Sequence, residues 1–140
     1  MKGDMMDCIT LFTRFALALG FLSAVADRFG LWSLVLDSDK IAWGNMQSFI
    51  NYTGTLLFYL PSGLVSTLAW VTTIAELLLG VLLLAGVWLK YTAFLSGILL
   101  LLFALAMFAS LGVKAPFDYS VFIASACAFL LYKQYSLKNC

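Results

Sequence analysis

The sequence predicts an all-α integral membrane protein: a four-helix bundle with an amphipathic interfacial helix in its first loop. Three observations lead there. Hydrophobic residues make up 64% of the 140, and charged residues only 11%. A soluble domain of this length needs a much more charged surface. Four apolar segments take up most of the chain, at about 8–29, 64–85, 91–111 and 119–135. A membrane-crossing helix needs roughly 20 apolar residues, with about 17 as the lower limit. Finally, residues 30–63 carry apolar groups at Met46, Phe49, Ile50, Thr53, Leu57 and Leu60. That three-and-four spacing marks one face of a helix.

The first segment reads "CITLFTRFALALGFLSAVADRF". It could be taken for a secretion signal. Its leader "MKGDMMD" has two acids against one lysine, and no small-x-small cleavage site follows. It is expected to be retained as a full span. The loop after it is expected to form a helix over about 41–58, lying across one end of the bundle. Trp32, Trp43, Tyr52 and Tyr59 suit the headgroup layer. Pro61 then breaks the chain before the second span. The second and third spans are joined by "GVWLK", a tight hairpin. The third and fourth are joined by "GVKAPFD", with Gly112 and Pro116 as breakers. On the fourth, Ser120, Ala124 and Ala128 repeat every four residues, a small-residue packing stripe. The whole chain, 1–140, reads as one membrane domain whose first partner is the lipid bilayer.

Lysine and arginine placement sets orientation. Lys2, Lys90, Lys133 and Lys138 fall on the side of the termini. Lys40, Lys114 and the end-of-span Arg28 fall on the other. The bias puts both termini in the cytoplasm and the long loop outside.

Several function classes are excluded by composition. A net charge of +1 with scattered cations gives no nucleic-acid surface. Histidine is absent, which removes bis-His haem and most zinc or copper sites. Cys8, Cys127 and Cys140 have no CxxC spacing, and Cys127 reads as a small core residue. No metal or covalently held cofactor is expected.

The informative residues are the charges inside the apolar segments: Arg14, Asp27, Arg28, Glu76 and Asp118. Each costs about 2.5–3.5 kcal/mol at a helix centre, so each needs a partner or water. Counting from the ends of the apolar segments puts Arg14 roughly 9 Å deep and Glu76 roughly 14 Å deep from the same side. An Arg14–Glu76 pair is therefore expected. Arg28 falls within about 40° of the helix face of Arg14, while Asp27 points elsewhere. Asp27, Arg28, Lys114 and Asp118 form an expected second cluster near the outer surface. Thr72, Thr73 and Gly80 share the face of Glu76, where hydroxyls can reach the carboxylate and a neighbouring helix can approach. Two readings of the Arg–Glu pair stand side by side. It fixes helix register, or it forms the polar floor of a ligand pocket lined by Arg14, Glu76 and their neighbours.

These features resemble the DoxX family of small four-helix bacterial membrane proteins. The resemblance is carried by "RFALALGFLSAVADRFG" (14–30), by a long loop ending in "YLPSG", and by "AELLLGVLLLAG" (75–86) before a short turn. It covers nearly the whole chain. The family pattern often has lysine where this chain has Arg28, which keeps the charge. The resemblance implies a bacterial inner-membrane location and an accessory or quinone-contacting subunit of a membrane oxidoreductase or oxidative-stress complex. It also implies a redox partner protein and, as possible cofactor, a quinone. Because the chain has no histidine and no cysteine pair, any electron carrier belongs to the partner or is the quinone itself. In a quinone site, Glu76 and Arg14 are the candidate catalytic pair: Glu76 relays protons and Arg14 polarises a carbonyl. A non-enzymatic lipid-binding or assembly protein, self-associated or bound to a client, fits the same bundle. A small proton-coupled transporter fits less well, because an acid held in an ion pair exchanges protons poorly.

Overall fold

The computed structural model describes residues 2–138; Cys140 lies outside the described residues. Among the described residues the protein is all-helical. Helix α1 spans Lys2–Arg28, α2 Met46–Leu56, α3 Ser62–Ala85, α4 Leu89–Leu111, α5 Lys114–Asp118 and α6 Val121–Lys138. Two short 3-10 turns, Trp32–Leu34 and Ser38–Lys40, lie in the first loop. Three helices are long and apolar enough to cross a membrane: α1 from Met5, α3 and α4. The apolar part of α6 is shorter, Val121–Leu137. Their outer faces carry exposed large apolar side chains such as Phe12, Ile74, Leu78, Leu102, Ile123 and Leu130. Water does not tolerate so much contiguous apolar surface; lipid does.

Local chemistry sets the helix ends. Helix α1 stops at Gly30, in the left-handed region at φ +72°. The Leu31 amide reaches back to the Ala26 carbonyl and the Gly30 amide to Asp27, which closes the helix with a left-handed cap. A side chain at residue 30 would also come within 3.0 Å of the Gly44 carbonyl oxygen, so only glycine lets the loop return this closely. This cap leaves Arg28 in the last turn, where the helix dipole favours a cation. Pro61 precedes α3, where its missing N–H costs nothing. Pro116 does not break a helix as the sequence suggested. It sits buried near the start of α5, where an N–H has no intrahelical partner to lose.

Helix α1 packs on α3 and α4 packs most extensively on α6, with further α3–α4 and α1–α6 contacts. Ala18, Phe21, Leu79, Leu83, Ala93 and Leu131 meet in one buried cluster drawn from all four. Small residues allow the close approaches. A side chain at Gly80 would lie 2.9 Å from Leu22 and 3.3 Å from the Ala18 carbonyl, so α1 and α3 cross there nearly backbone to backbone. Across α4 and α6, the Phe129 ring covers Gly97 and the Ser125 hydroxyl donates to the Gly97 carbonyl at 2.8 Å. The small-residue stripe on the last helix is thus shifted from the expected one. Ala128 is buried, but Ser120 is exposed, left-handed at φ +55°, and lies before the helix; Ser125 takes its place.

The amphipathic segment forms a shorter helix than the sequence pattern implied. It begins at Met46 because the Asn45 side chain caps it, accepting from the Ser48 amide at 2.8 Å. Its apolar face seats Phe49, Thr53 and Leu56 in the protein, with Phe49 only 1% exposed. Helix α2 therefore closes one end of the helix assembly over α1, α3 and α4.

Candidate functional site

Beneath α2 lies a cavity of about 560 Å³. Arg28 and Glu76 lie on its wall, and Trp43, Phe49, Tyr52 and Tyr119 supply aromatic faces. Helix α4 contributes Leu100, Phe103 and Met107, spaced three and four apart along one face.

Each polar group has a structural reason for its position. Arg28 and Glu76 are 2% and 4% exposed and form an ion pair through Nη1 and Oε2. The same Nη1 donates to the Thr73 hydroxyl at 2.8 Å, and that hydroxyl donates to the Ala69 carbonyl at 2.8 Å. Two aromatic rings face the guanidinium, Phe49 at 3.6 Å and Trp43 at 5.3 Å from Cζ to the ring centroid. A desolvated guanidinium against aromatic faces is a favourable cation–π arrangement. One nitrogen carries all of these polar contacts. Arg28 Nε is buried without a hydrogen-bond partner, and among the described residues Nη2 has none either. The guanidinium is a five-donor fork with most of its donors unspent.

Asp27 points to the other side of α1 and does different work. Its Oδ2 accepts from the Trp43 amide and its Oδ1 from the Gly44 amide, both at 3.1 Å. This carboxylate latches the first loop onto the helix end and holds Trp43 against Arg28. Trp43 in turn stacks edge-on to Phe49 at 5.1 Å and tilts over Tyr52 at 5.9 Å.

No family model, curated protein or solved structure matches the chain.

The structure brings together Arg28, Glu76 and Thr73, with Asp27 alongside. It does not place Arg14 with Glu76. Arg14 lies beside Gly86, whose added Cβ would be 3.3 Å from Arg14 Nη1, at the far end of α3. The expected pair fails because the helix register is set by the Gly80–Ala18 crossing rather than by aligned segment ends. Along α1 and α3, Arg14 is about ten residues, or roughly 15 Å, away from the level of Glu76. Thr72 is half-buried and does not line the cavity. Asp118 is half-exposed and pairs with Lys114 at 2.5 Å, one helical turn away on the surface, so the expected outer cluster divides in two. Trp43 and Tyr52, which the sequence assigns to the headgroup layer, line the cavity. Phe49, Phe103, Met107 and Tyr119 went unrecognised as site residues. The signal for the α4 wall was present in the Leu100, Phe103, Met107 spacing.

Burial raises the Tyr52 phenol above its ordinary value of 10.0, and the neighbouring Tyr119 adds to the rise. Burial favours the uncharged form, so the stability Tyr52 contributes is full below pH 10 and falls as pH rises beyond it. A near-ultraviolet titration of the phenols is expected to show a late-ionising tyrosine that disappears in Tyr52→Phe. Loss of no late component in that variant would place the shifted phenol elsewhere.

Proposed function

We propose that this protein is a DoxX-like four-helix membrane protein that holds a quinone-class ligand in the cavity beneath α2. It acts as the membrane subunit of an oxidoreductase or oxidative-stress complex. In this reading α1, α3, α4 and α6 all cross a bacterial inner membrane. Both termini are cytoplasmic, in line with the lysine and arginine bias, and α2 closes the outer end. The resemblance of residues 14–30 and 75–86 to the family supports the assignment.

The observation that carries the reading is the partly used guanidinium of Arg28, set in an aromatic-walled cavity beside Glu76. A pair that served only to fix register would have little reason to leave donors unspent. The volume lies within the range of roughly 300–1,000 Å³ typical of small-molecule sites. The aromatic walls suit a flat apolar ring, and the Arg28 donors suit a ring carbonyl oxygen. Reduction of a quinone to the quinol takes up two electrons and two protons. This chain has no histidine and no cysteine pair to carry electrons, so they come from a partner protein. In this reading a ring oxygen draws on the Arg28 donors and loosens the ion pair, which frees Glu76 to pass a proton toward that oxygen. Arg28 takes the polarising role that the sequence assigns to Arg14.

Solvent extraction of the detergent-purified protein tests this. The wild type is expected to release a quinone. Arg28→Gln is expected to release at least tenfold less. Glu76→Gln is expected to keep the quinone but to slow electron delivery from the partner at least tenfold. A wild type free of quinone, with partner activity intact in Glu76→Gln, overturns the proposal. The mostly apolar lining favours one other reading, hydrophobic-ligand or lipid binding without a redox step. An extract containing lipid and no quinone would support that reading.

A further inference from the structure

The geometry points to a second part of the ligand site: a groove between α1 and the first loop that receives a hydrocarbon tail carried by the ring beneath α2. This inference rests on the quinone reading above and narrows it to a ring with a long apolar substituent. The groove measures about 390 Å³ and lies between Gly20, Ser23 and Asp27 on α1 and Trp32, Leu36 and Ile41 on the loop.

The groove adjoins the inner cavity. The two share three wall residues, Ala24, Ala42 and Trp43. Two of these are alanines, and Ala42 is exposed, so a tail crosses from one to the other over small side chains. On α1, Gly20, Ala24 and Arg28 follow at four-residue intervals and form one line along the helix. Gly20 belongs to the groove, Ala24 to both, and Arg28 to the inner cavity. From Arg28 to Gly20 the line runs roughly 12 Å along the axis, at about 1.5 Å per residue. In the membrane-spanning reading that direction leads from the outer end of α1 toward the hydrocarbon interior, where a long tail is at home.

Polarity separates the two compartments. In the inner cavity Arg28 is 2% exposed and keeps its Nε without a hydrogen-bond partner, so that compartment suits a polar ring. In the groove the polar side chains are engaged within the protein. The Trp32 indole N–H is shared between the Ser23 carbonyl and hydroxyl, at 3.1 and 3.2 Å. Both Asp27 oxygens accept from the Trp43 and Gly44 amides. Lys40 is exposed, and its Nζ lies 3.7 Å from an Asp37 oxygen. The groove side chains therefore offer little to a ligand carbonyl, whereas a tail gains packing against Trp32, Leu36 and Ile41. Gly20 keeps the groove open: a Cβ built there meets nothing within 4 Å. Gly20→Leu therefore fills the groove without a clash and, as a glycine replaced inside a helix, does not weaken α1.

Two quinones test the groove on the full-length protein in detergent: a dimethoxy-methyl-benzoquinone without a tail, and the same ring bearing a decyl tail. Binding is followed by quenching of tryptophan fluorescence. The wild type is expected to bind both, the tailed one at least tenfold more tightly. Gly20→Leu is expected to lose most of that preference and to bind the tail-less ring as the wild type does. Gly63→Leu is the control, because a side chain there also meets nothing within 4 Å and Gly63 lines neither compartment. It is expected to keep the wild-type preference. An undiminished preference in Gly20→Leu, or an equal loss in Gly63→Leu, overturns the proposal. A tailed quinone with a mid-tail diazirine gives a readout on the wild type alone, with cross-links expected on Leu36, Ile41, Gly20 or Ala24. Cross-links confined to α4 and α6 overturn the proposal even where the quinone binds. If Gly20→Leu sheds co-purified phospholipid with its quinone preference unchanged, the groove holds a lipid acyl chain and the tail assignment falls. Failure of the wild type to bind either quinone removes the quinone reading and this inference together. Binding of both with equal affinity removes this inference alone.

Discussion

Replacing Glu76 with leucine is expected to destabilise the protein by about 3–5 kcal/mol, because it leaves the Arg28 guanidinium buried without its counter-charge. Arg28→Leu is expected to cost a similar amount by orphaning the carboxylate. The double variant Arg28→Leu, Glu76→Leu removes both charges and fills the space with apolar atoms. Such replacements of buried pairs are often neutral, or stabilising by about 1–4 kcal/mol. The double variant should therefore unfold near the wild-type temperature. Thermal unfolding followed by circular dichroism in detergent measures all three. The resulting coupling energy should be several kcal/mol, whereas coupling between Arg14 and Glu76 should stay within about 0.5 kcal/mol, as for distant sites. A strong Arg14–Glu76 coupling would contradict the helix register described here. The double variant also separates structure from function. If it folds and still retains quinone, the pair serves stability and has no part in binding.

The difference between these two arginines shows which information the sequence carried. Glu76 is expected to point inward with Thr72, Thr73 and Gly80; Thr73, Glu76 and Gly80 are buried on one face of α3, whereas Thr72 is half-buried. That followed from helical periodicity, which a sequence states directly. Arg14 and Arg28 were also expected to share a face, and both do lie against α3. What the sequence did not state was register along the helix axes. Hydropathy marks where an apolar stretch begins, and the depths were measured from Cys8 and Ala85. Helix α1 begins earlier, at Lys2, and the crossing is set by Gly80 against the Ala18 backbone. Those two facts shift the pairing by about six residues, or roughly 9 Å, enough to exchange one arginine for the other. The sequence marks Gly80 as a place where a neighbouring helix can approach, but carries no sign that the Ala18 backbone is what meets it.

Trp43 and Tyr52 illustrate a second kind of ambiguity. An amphipathic aromatic suits the headgroup layer and suits a cavity wall for the same reason: one end is apolar and the other polar. What decides for Trp43 is the return of the loop onto α1, through hydrogen bonds to Asp27 from amides 16 and 17 residues away. A lone aspartate at a helix end carries no mark of which distant backbone it will hold. The sequence places Asp27 with the charges near the outer surface; that it is 6% exposed and accepts from the Trp43 and Gly44 amides is visible only in the structure.

That latch makes the second large prediction. Asp27→Ala is expected to cost about 3 kcal/mol, since two hydrogen bonds to a charged acceptor are lost, at roughly 1.5–3 kcal/mol each before the loop relaxes. Asp27→Asn keeps one acceptor oxygen and should fall between the two. The effect should be local before it is global. Hydrogen exchange at the Trp43 and Gly44 amides should speed up strongly while the middle of α3 stays protected. Trp43 would then lose its fixed place over the guanidinium, so quinone retention should fall even though Arg28 and Glu76 are both present. Asp118→Ala is the matched control, because the Lys114–Asp118 pair is exposed and worth about 0–1 kcal/mol at most. If exchange at Trp43 and Gly44 is the same in Asp27→Ala as in the wild type, the loop is held by its aromatic packing. In that case the cavity wall is built by Phe49 and Tyr52, and the carboxylate serves only to end the helix.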